Sequence, residues 1–126
     1  MSLATRLGLV GLGGGIGASL RYVTALALPA FHGFWAYGFI NLSGSFALGL
    51  LMAWSAQNPH RYQAWTAFGG TGILGGYTTF STLALLVWQH QSMGWIFGLL
   101  SVLLGLWLSS FGAQLVNRVL RSRSRA

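Results

Sequence analysis

The stretch FGGTGILGGYTTFSTLALLVW, Phe68–Trp88, decides the fold. It carries no charge and is long enough to cross a bilayer, which takes about 20 apolar residues in a helix. Its middle is GGYTTFST, Gly75–Thr82, where two glycines are followed by three threonines and a serine among aromatics. Such residues make a poor continuous helix, so the composition predicts a break at the centre of this span. Non-helical backbone at membrane depth survives only where it lines a cavity or is buried in protein. A break also exposes helix ends, whose N–H groups attract anions and whose carbonyls attract cations.

Three further windows flank this one. The first runs from about Leu7 to Ala30 and is interrupted by Arg21; the second runs from about Phe34 to Ala56; the fourth runs from about Gly94 to Val116. The third span as a whole extends from about Ala64 to Trp88, after the polar turn Gln57–Arg61, and the linker Gln89–Ser92 leads out of it. Residues 1–117 thus form a single four-helix transmembrane domain, and residues 118–126 read as a basic, frayed cytoplasmic tail. The apolar runs are too long for a β-barrel, whose strands alternate over roughly 10 residues. Arg6 before the first apolar run has the look of a signal peptide, but three more spans follow, and the segment reads as an uncleaved first helix.

Composition agrees. Charged residues make up 6% of the 126, all seven of them Arg, and the mean hydropathy is +0.63. A soluble surface needs roughly a quarter charged residues, so this chain belongs in lipid. Cysteine, aspartate and glutamate are absent. Disulfides, thiolate metal sites, catalytic triads and carboxylate cages are therefore excluded, and no nucleophile–base pair can be assembled. The net charge of +7 does not indicate nucleic acid, because the arginines are sparse and four of them crowd the last nine residues. His32, His60 and His90 fall at span ends or loops and read as interfacial.

The nineteen glycines suit helices that touch through small residues. Asn41, Ser45, Gly49 and Ala53 recur every four residues on the second span, as do Ser101, Gly105, Ser109 and Ala113 on the fourth. Gly11 and Gly15 form a GxxxG on the first span, and Gly72 and Gly76 another on the third. The Asn and Ser members are the candidates for lining a polar path. The run GLGGGIG, Gly11–Gly17, follows no strand pattern and has no acidic residue to hold a ribose, so it is a packing segment and not a dinucleotide loop.

Arg6, Arg61, Arg118, Arg121, Arg123 and Arg125 all fall on one side of a four-span topology, and only Arg21 leans to the other. The positive-inside rule then places both termini in the cytoplasm. An intramembrane arginine such as Arg21 marks a functional site or snorkels to the interface, and in a watery vestibule it attracts anions. Asn41 and the hydroxyls of Thr79, Ser81, Thr82 and Ser110 are hydrogen-bond donors, and the positive ring edge of Phe80 suits an anion.

GGGIGASLRY (Gly13–Tyr22), INLSGSFALG (Ile40–Gly49) and GxxGGYTTFST (Gly72–Thr82) occur in the order and spacing of the signature blocks of the Fluc (CrcB-type) fluoride channels, which the chain resembles over nearly its whole length. The resemblance implies an antiparallel, dual-topology dimer of four-helix subunits. It also implies passive export of fluoride across the inner membrane and a structural Na⁺ at the dimer interface. Carried over by motif, Gly75 and Thr78 would bind the Na⁺ through backbone carbonyls, Arg21 and Asn41 would lie along the vestibule and pore entrance, and Phe80 would be the first ring of a phenylalanine box. Ser81, Thr82 and Ser110 would belong to the polar track.

The chain departs from that pattern in three ways. Leu83 stands where a second Phe is usual, no acidic residue follows, and the charge bias is strong where homodimeric members keep a weak one. Together these raise a heterodimer with an oppositely oriented homologue, or a non-conducting subunit, as alternatives. A small proton-coupled multidrug exporter would need a membrane glutamate, which this chain lacks.

Overall fold

A computed structural model describes residues 1–28 and 33–123. Among these residues the structure is entirely helical, and four helices are long and apolar enough to cross a membrane. The end of the first span read to Ala30, His32 and the last three residues lie outside the described residues.

Helix α1 spans Leu3–Ala27 and is capped by Ser2, whose Oγ accepts the Thr5 N–H. Gly33 turns the chain into α2, Phe34–Ser55, with φ +61°, a conformation that glycine adopts without a steric penalty. The third span is composite. A single α-helical turn, α3 (Gln63–Trp65), leads into a π-helical segment, Thr66–Leu74, and then a second turn, α4 (Gly75–Tyr77). Thr78 (φ −73°, ψ 156°) and Thr79 (φ −147°, ψ 120°) are extended, and α5 runs from Phe80 to Gln89. Helix α6 covers Gln91–Arg123.

The length of α6 differs from the sequence reading, which stopped the fourth span at Val116. Thirty-three residues at ~1.5 Å each give a rod of about 50 Å, well beyond the ~30 Å hydrocarbon core. Once a helix is nucleated each added residue costs little, and arginine is a good helix former. Residues 118–123 therefore continue the span as helix and do not fray.

Helix α2 packs most extensively on α6, and α1 on the π segment and α4. Close approach depends on glycine. A Cβ on Gly49 would meet the Ser109 carbonyl, and one on Gly112 would lie 2.7 Å from the Phe46 oxygen. On α1 the contact residues are Gly13 and Gly17, which face Phe68, Gly72, Ile73 and Tyr77. Gly11 and Gly15, singled out from the sequence, have nothing within 4 Å of an added Cβ and face away. The run has glycine on both faces of the helix, so its composition alone does not reveal which face docks. On the third span, Gly72 and Gly76 both meet α1, at Gly13 and Gly14.

The buried apolar set is small: Ala36, Ile40 (0% exposed), Ala67, Leu83 and Leu86. Large apolar side chains along α1, α5 and α6 are exposed, as expected of surfaces that meet lipid or another subunit. An aromatic pair marks one end, where Trp54 packs against Tyr62 with ring centres 4.0 Å apart and planes tilted by 34°, and the Arg61 guanidinium lies 5.8 Å from the Tyr62 ring centre. The Met1 amine reaches Gln63 Oε1 at 3.4 Å, which puts the start of α1 and the start of the third span at one end of the bundle.

Candidate functional site

The extended pair Thr78–Thr79 interrupts the backbone ladder, and side chains from two other helices take up its polar groups. Asn41, on α2, binds Thr79 at both ends: the Thr79 N–H donates to Asn41 Oδ1 at 2.8 Å, and Asn41 Nδ2 donates to the Thr79 carbonyl at 3.0 Å. Arg21, near the end of α1, donates from Nη1 to the Thr78 carbonyl at 3.1 Å. Thr79 is buried, and its Oγ1 caps α5 by accepting the Thr82 N–H at 3.2 Å while donating to Thr82 Oγ1 at 3.1 Å. Ser81 Oγ lies 3.3 Å from the same atom. The two Asn41 bonds supply in one side chain what a neighbouring strand would supply in a sheet, a two-point pairing that leaves neither polar group of Thr79 bare in an apolar medium.

Beside this pair lies an open-sided cavity of about 350 Å³ between α2, α5 and α6. Its polar lining comes from Asn41, Ser45, Thr78, Thr79, Ser101 and Ser109, and its apolar lining includes Phe80, Leu83 and Leu106. The two small-residue stripes of the second and fourth spans thus converge on one space, with Gly105 facing Ser45 Oγ. No hydrogen bond engages the Ser45, Ser101 or Ser109 hydroxyls among the described residues, so they remain available to a ligand. Asn41 keeps one amide hydrogen beyond the one given to Thr79. Among the described residues, no charged side chain lines the space.

Of the residues predicted from sequence, Arg21, Asn41, Thr78, Phe80, Ser81 and Thr82 gather around the extended pair. Phe80 lines the cavity and is 78% exposed in the single subunit. Gly75 lies on an exposed part of α4. Ser110 is exposed on α6 and off the cavity lining, whereas its neighbour Ser109 lines it. Leu83 is buried (6% exposed) and faces the cavity. Ser45, Ser101 and Ser109 were legible through the four-residue stripe and absent from the motif carry-over.

A four-helix membrane protein with hydroxyl and amide groups lining an uncharged, open-sided cavity at mid-span offers a small polar solute hydrogen-bonding partners within the bundle. Chemical transformation is not what such a lining provides. Residues 8–113 match the family described as CrcB-like protein, Camphor Resistance (CrcB), and the chain belongs to that family. It is 38% identical to the fluoride-specific ion channel FluC of Hyphomonas neptunium over 120 residues, 88% of this chain and 94% of that protein. The fluoride-specific ion channel FluC 1 of Listeria monocytogenes serotype 4b is 38% identical over 115 residues, 79% of this chain and 93% of its own length. A shorter alignment, 46% identical over 76 residues, spans 61% of FluC from Methylobacterium nodulans. These relatives are named as ion channels, and an enzymatic role falls away.

Proposed function

We propose that the chain is a subunit of a passive, fluoride-selective channel of the cytoplasmic membrane that lets fluoride out of the cell. The observation that carries the reading is the cavity whose polar lining is entirely uncharged, with three unengaged hydroxyls and a free amide hydrogen. A small hard anion gives up water only where donors replace it at close range, and these donors are held on rigid helices. Phe80 adds a ring edge at the mouth. With no carboxylate side chain in the sequence and its histidines at span ends or loops, no membrane acid couples transport to protons, so flow follows the gradient.

The extended pair is the proposed break of the third span at membrane depth, and the proposed assembly is an antiparallel dimer with Phe80 turned outward toward the second subunit. The one-sided arginines support an orientation with both termini of this chain in the cytoplasm.

The residues also fit the Na⁺ implied by the resemblance. Asn41 Oδ1 takes the Thr79 N–H, the donor that a continuous helix would give to the Gly75 carbonyl. Gly75 and Thr78 would hold the ion through their carbonyl oxygens, which are hard donors suited to a hard cation. The ion would supply positive charge at the end of α4.

Expression in cells stripped of their own fluoride exporters is expected to restore growth in fluoride-containing medium. Sensitivity identical to that of cells carrying an empty vector would count against the reading.

Leu83 and the arginine bias favour a second arrangement, a heterodimer in which an oppositely oriented homologue supplies the missing ring. On that arrangement, Leu83→Phe should raise fluoride efflux of the purified single chain about tenfold, the equivalent of ~1 kcal/mol of ring-edge stabilisation. Equal rates for the two proteins would show that Leu83 serves as well as a ring and would remove the main reason to invoke a partner homologue.

A further inference from the structure

Gly105 differs from the glycines that bring α2 and α6 together. A Cβ on Gly49 or Gly112 would run into the backbone of the facing helix, at Ser109 and Phe46 respectively. A Cβ on Gly105 would meet no backbone of another helix: the atoms within 4 Å are Ser45 Oγ at 3.2 Å and Ser45 Cβ at 3.8 Å. A serine hydroxyl gives way by turning about χ1, so the approach of the two helices does not need a glycine here. Helix propensity argues against one, since alanine is the better residue in a helix interior. Gly105 is nevertheless buried and lines the cavity. What its missing side chain leaves is room in front of the Ser45 hydroxyl.

That room sits among donors. Ser101 and Ser109 stand one helical turn to either side of Gly105 on α6, and both line the same cavity. Ser101 is 7% exposed and makes no hydrogen bond among the described residues. Yet none of the described side-chain oxygens and nitrogens is sealed away from solvent without a partner. The Ser101 hydroxyl therefore opens into the cavity it lines. A buried hydroxyl left without a partner costs stability, and a ligand that accepts its hydrogen removes that cost. Two helices thus turn unengaged hydroxyls toward a space that a glycine keeps open.

We infer that Gly105 sizes the anion's binding position: its missing side chain leaves room for one small dehydrated anion against the Ser45 hydroxyl, with Ser101 a turn away, and any side chain there takes the anion's place. The ligand class is a monatomic halide small enough to sit where a methyl group would, and fluoride is the smallest of them. The inference rests on the channel reading above and deepens it by assigning selection by size to one residue.

The test pairs anion efflux from liposomes with thermal unfolding in detergent, both on the full-length protein. Gly105→Ala is expected to unfold at or above the wild-type temperature and to lose fluoride efflux by at least about tenfold, the scale of one hydrogen bond to an ion. Ser45→Ala removes the hydroxyl without filling the space and is expected to slow efflux to a similar degree. The double variant should be no slower than the slower single variant, because both changes remove the same contact. A Gly105→Ala protein that unfolds far below wild type would make this a packing glycine like Gly49 and overturn the inference. Undiminished efflux from Gly105→Ala would put the space off the ion's path. Undiminished efflux from Ser45→Ala, or effects that multiply in the double variant, would show that the two residues share no ion. In each of these cases the wild type still conducts fluoride and the channel reading stands. A wild type that releases no fluoride would refute that reading and this inference with it.

Discussion

Asn41→Leu is expected to abolish fluoride efflux while leaving the protein in the membrane. The side chain is nearly isosteric but has no polar atom. Both bonds to Thr79 disappear, and the Thr79 N–H and carbonyl are left without partners in a buried setting. An unsatisfied buried group costs about 1–3 kcal/mol, and two such groups are enough to collapse the extended pair into a competing helical arrangement or to distort the cavity. Efflux from liposomes should fall by at least ~100-fold, which a barrier increase of about 3 kcal/mol produces. Asn41→Asp separates two contributions. It keeps an acceptor for the Thr79 N–H but loses the donor to the Thr79 carbonyl and puts a negative charge in the anion path. It should elute normally in size-exclusion chromatography and still fail to conduct. Normal efflux from Asn41→Leu would show that the extended pair does not depend on α2.

The second large effect is steric. In Gly17→Ala the new methyl lands on the Ile73 carbonyl, with the Tyr77 nitrogen 2.8 Å away. In Gly49→Ala it lands on the Ser109 carbonyl, with the Ser109 Cα at 2.9 Å. Backbone cannot rotate aside as a side chain does, so whole helices must separate. The expected cost is about 3 kcal/mol or more for each, the upper range of overpacking. Gly11→Ala and Gly15→Ala supply the control: both positions are open in the subunit, and alanine is about 1 kcal/mol better than glycine in a helix interior. Thermal unfolding in detergent should place the first pair far below wild type and the second pair at or above it. Destabilisation of all four to the same degree would mean that propensity and packing have been wrongly separated here.

The contrast between these glycines shows what the sequence could convey. Four spans were legible because uncharged runs of about 20 residues have one common physical explanation, exclusion from water. Their rotation was less legible. Gly11–Gly17 has glycine on both faces, so no side chain indicated which face meets the third span. The adjacent Ser109 and Ser110 posed the same problem, and the stripe through Ser101 and Gly105 pointed to the member that lines the cavity. The π-helical segment Thr66–Leu74 had no signal, because no residue pattern in that stretch distinguishes it from an α-helix. The length of α6 was hidden by reading charge as the end of a helix, when charge marks only the end of its membrane-embedded part.

The engagement of Asn41 also changes how a polar residue in a membrane should be read. From sequence it was a donor along a path. In the structure one amide hydrogen and the amide oxygen are spent on Thr79, and only the second amide hydrogen is left for a solute. The hydroxyls of Ser45, Ser101 and Ser109 carry more of the unengaged donor capacity.

The central claim is that this chain conducts fluoride in preference to other halides, and ion efflux tests it most directly. The purified protein is reconstituted into liposomes loaded with potassium fluoride or potassium chloride, a potassium ionophore collapses the membrane potential, and the escaping anion is followed with an ion-selective electrode. Rapid loss of fluoride with chloride retained is the predicted result. Chloride leaving as fast as fluoride would contradict the account.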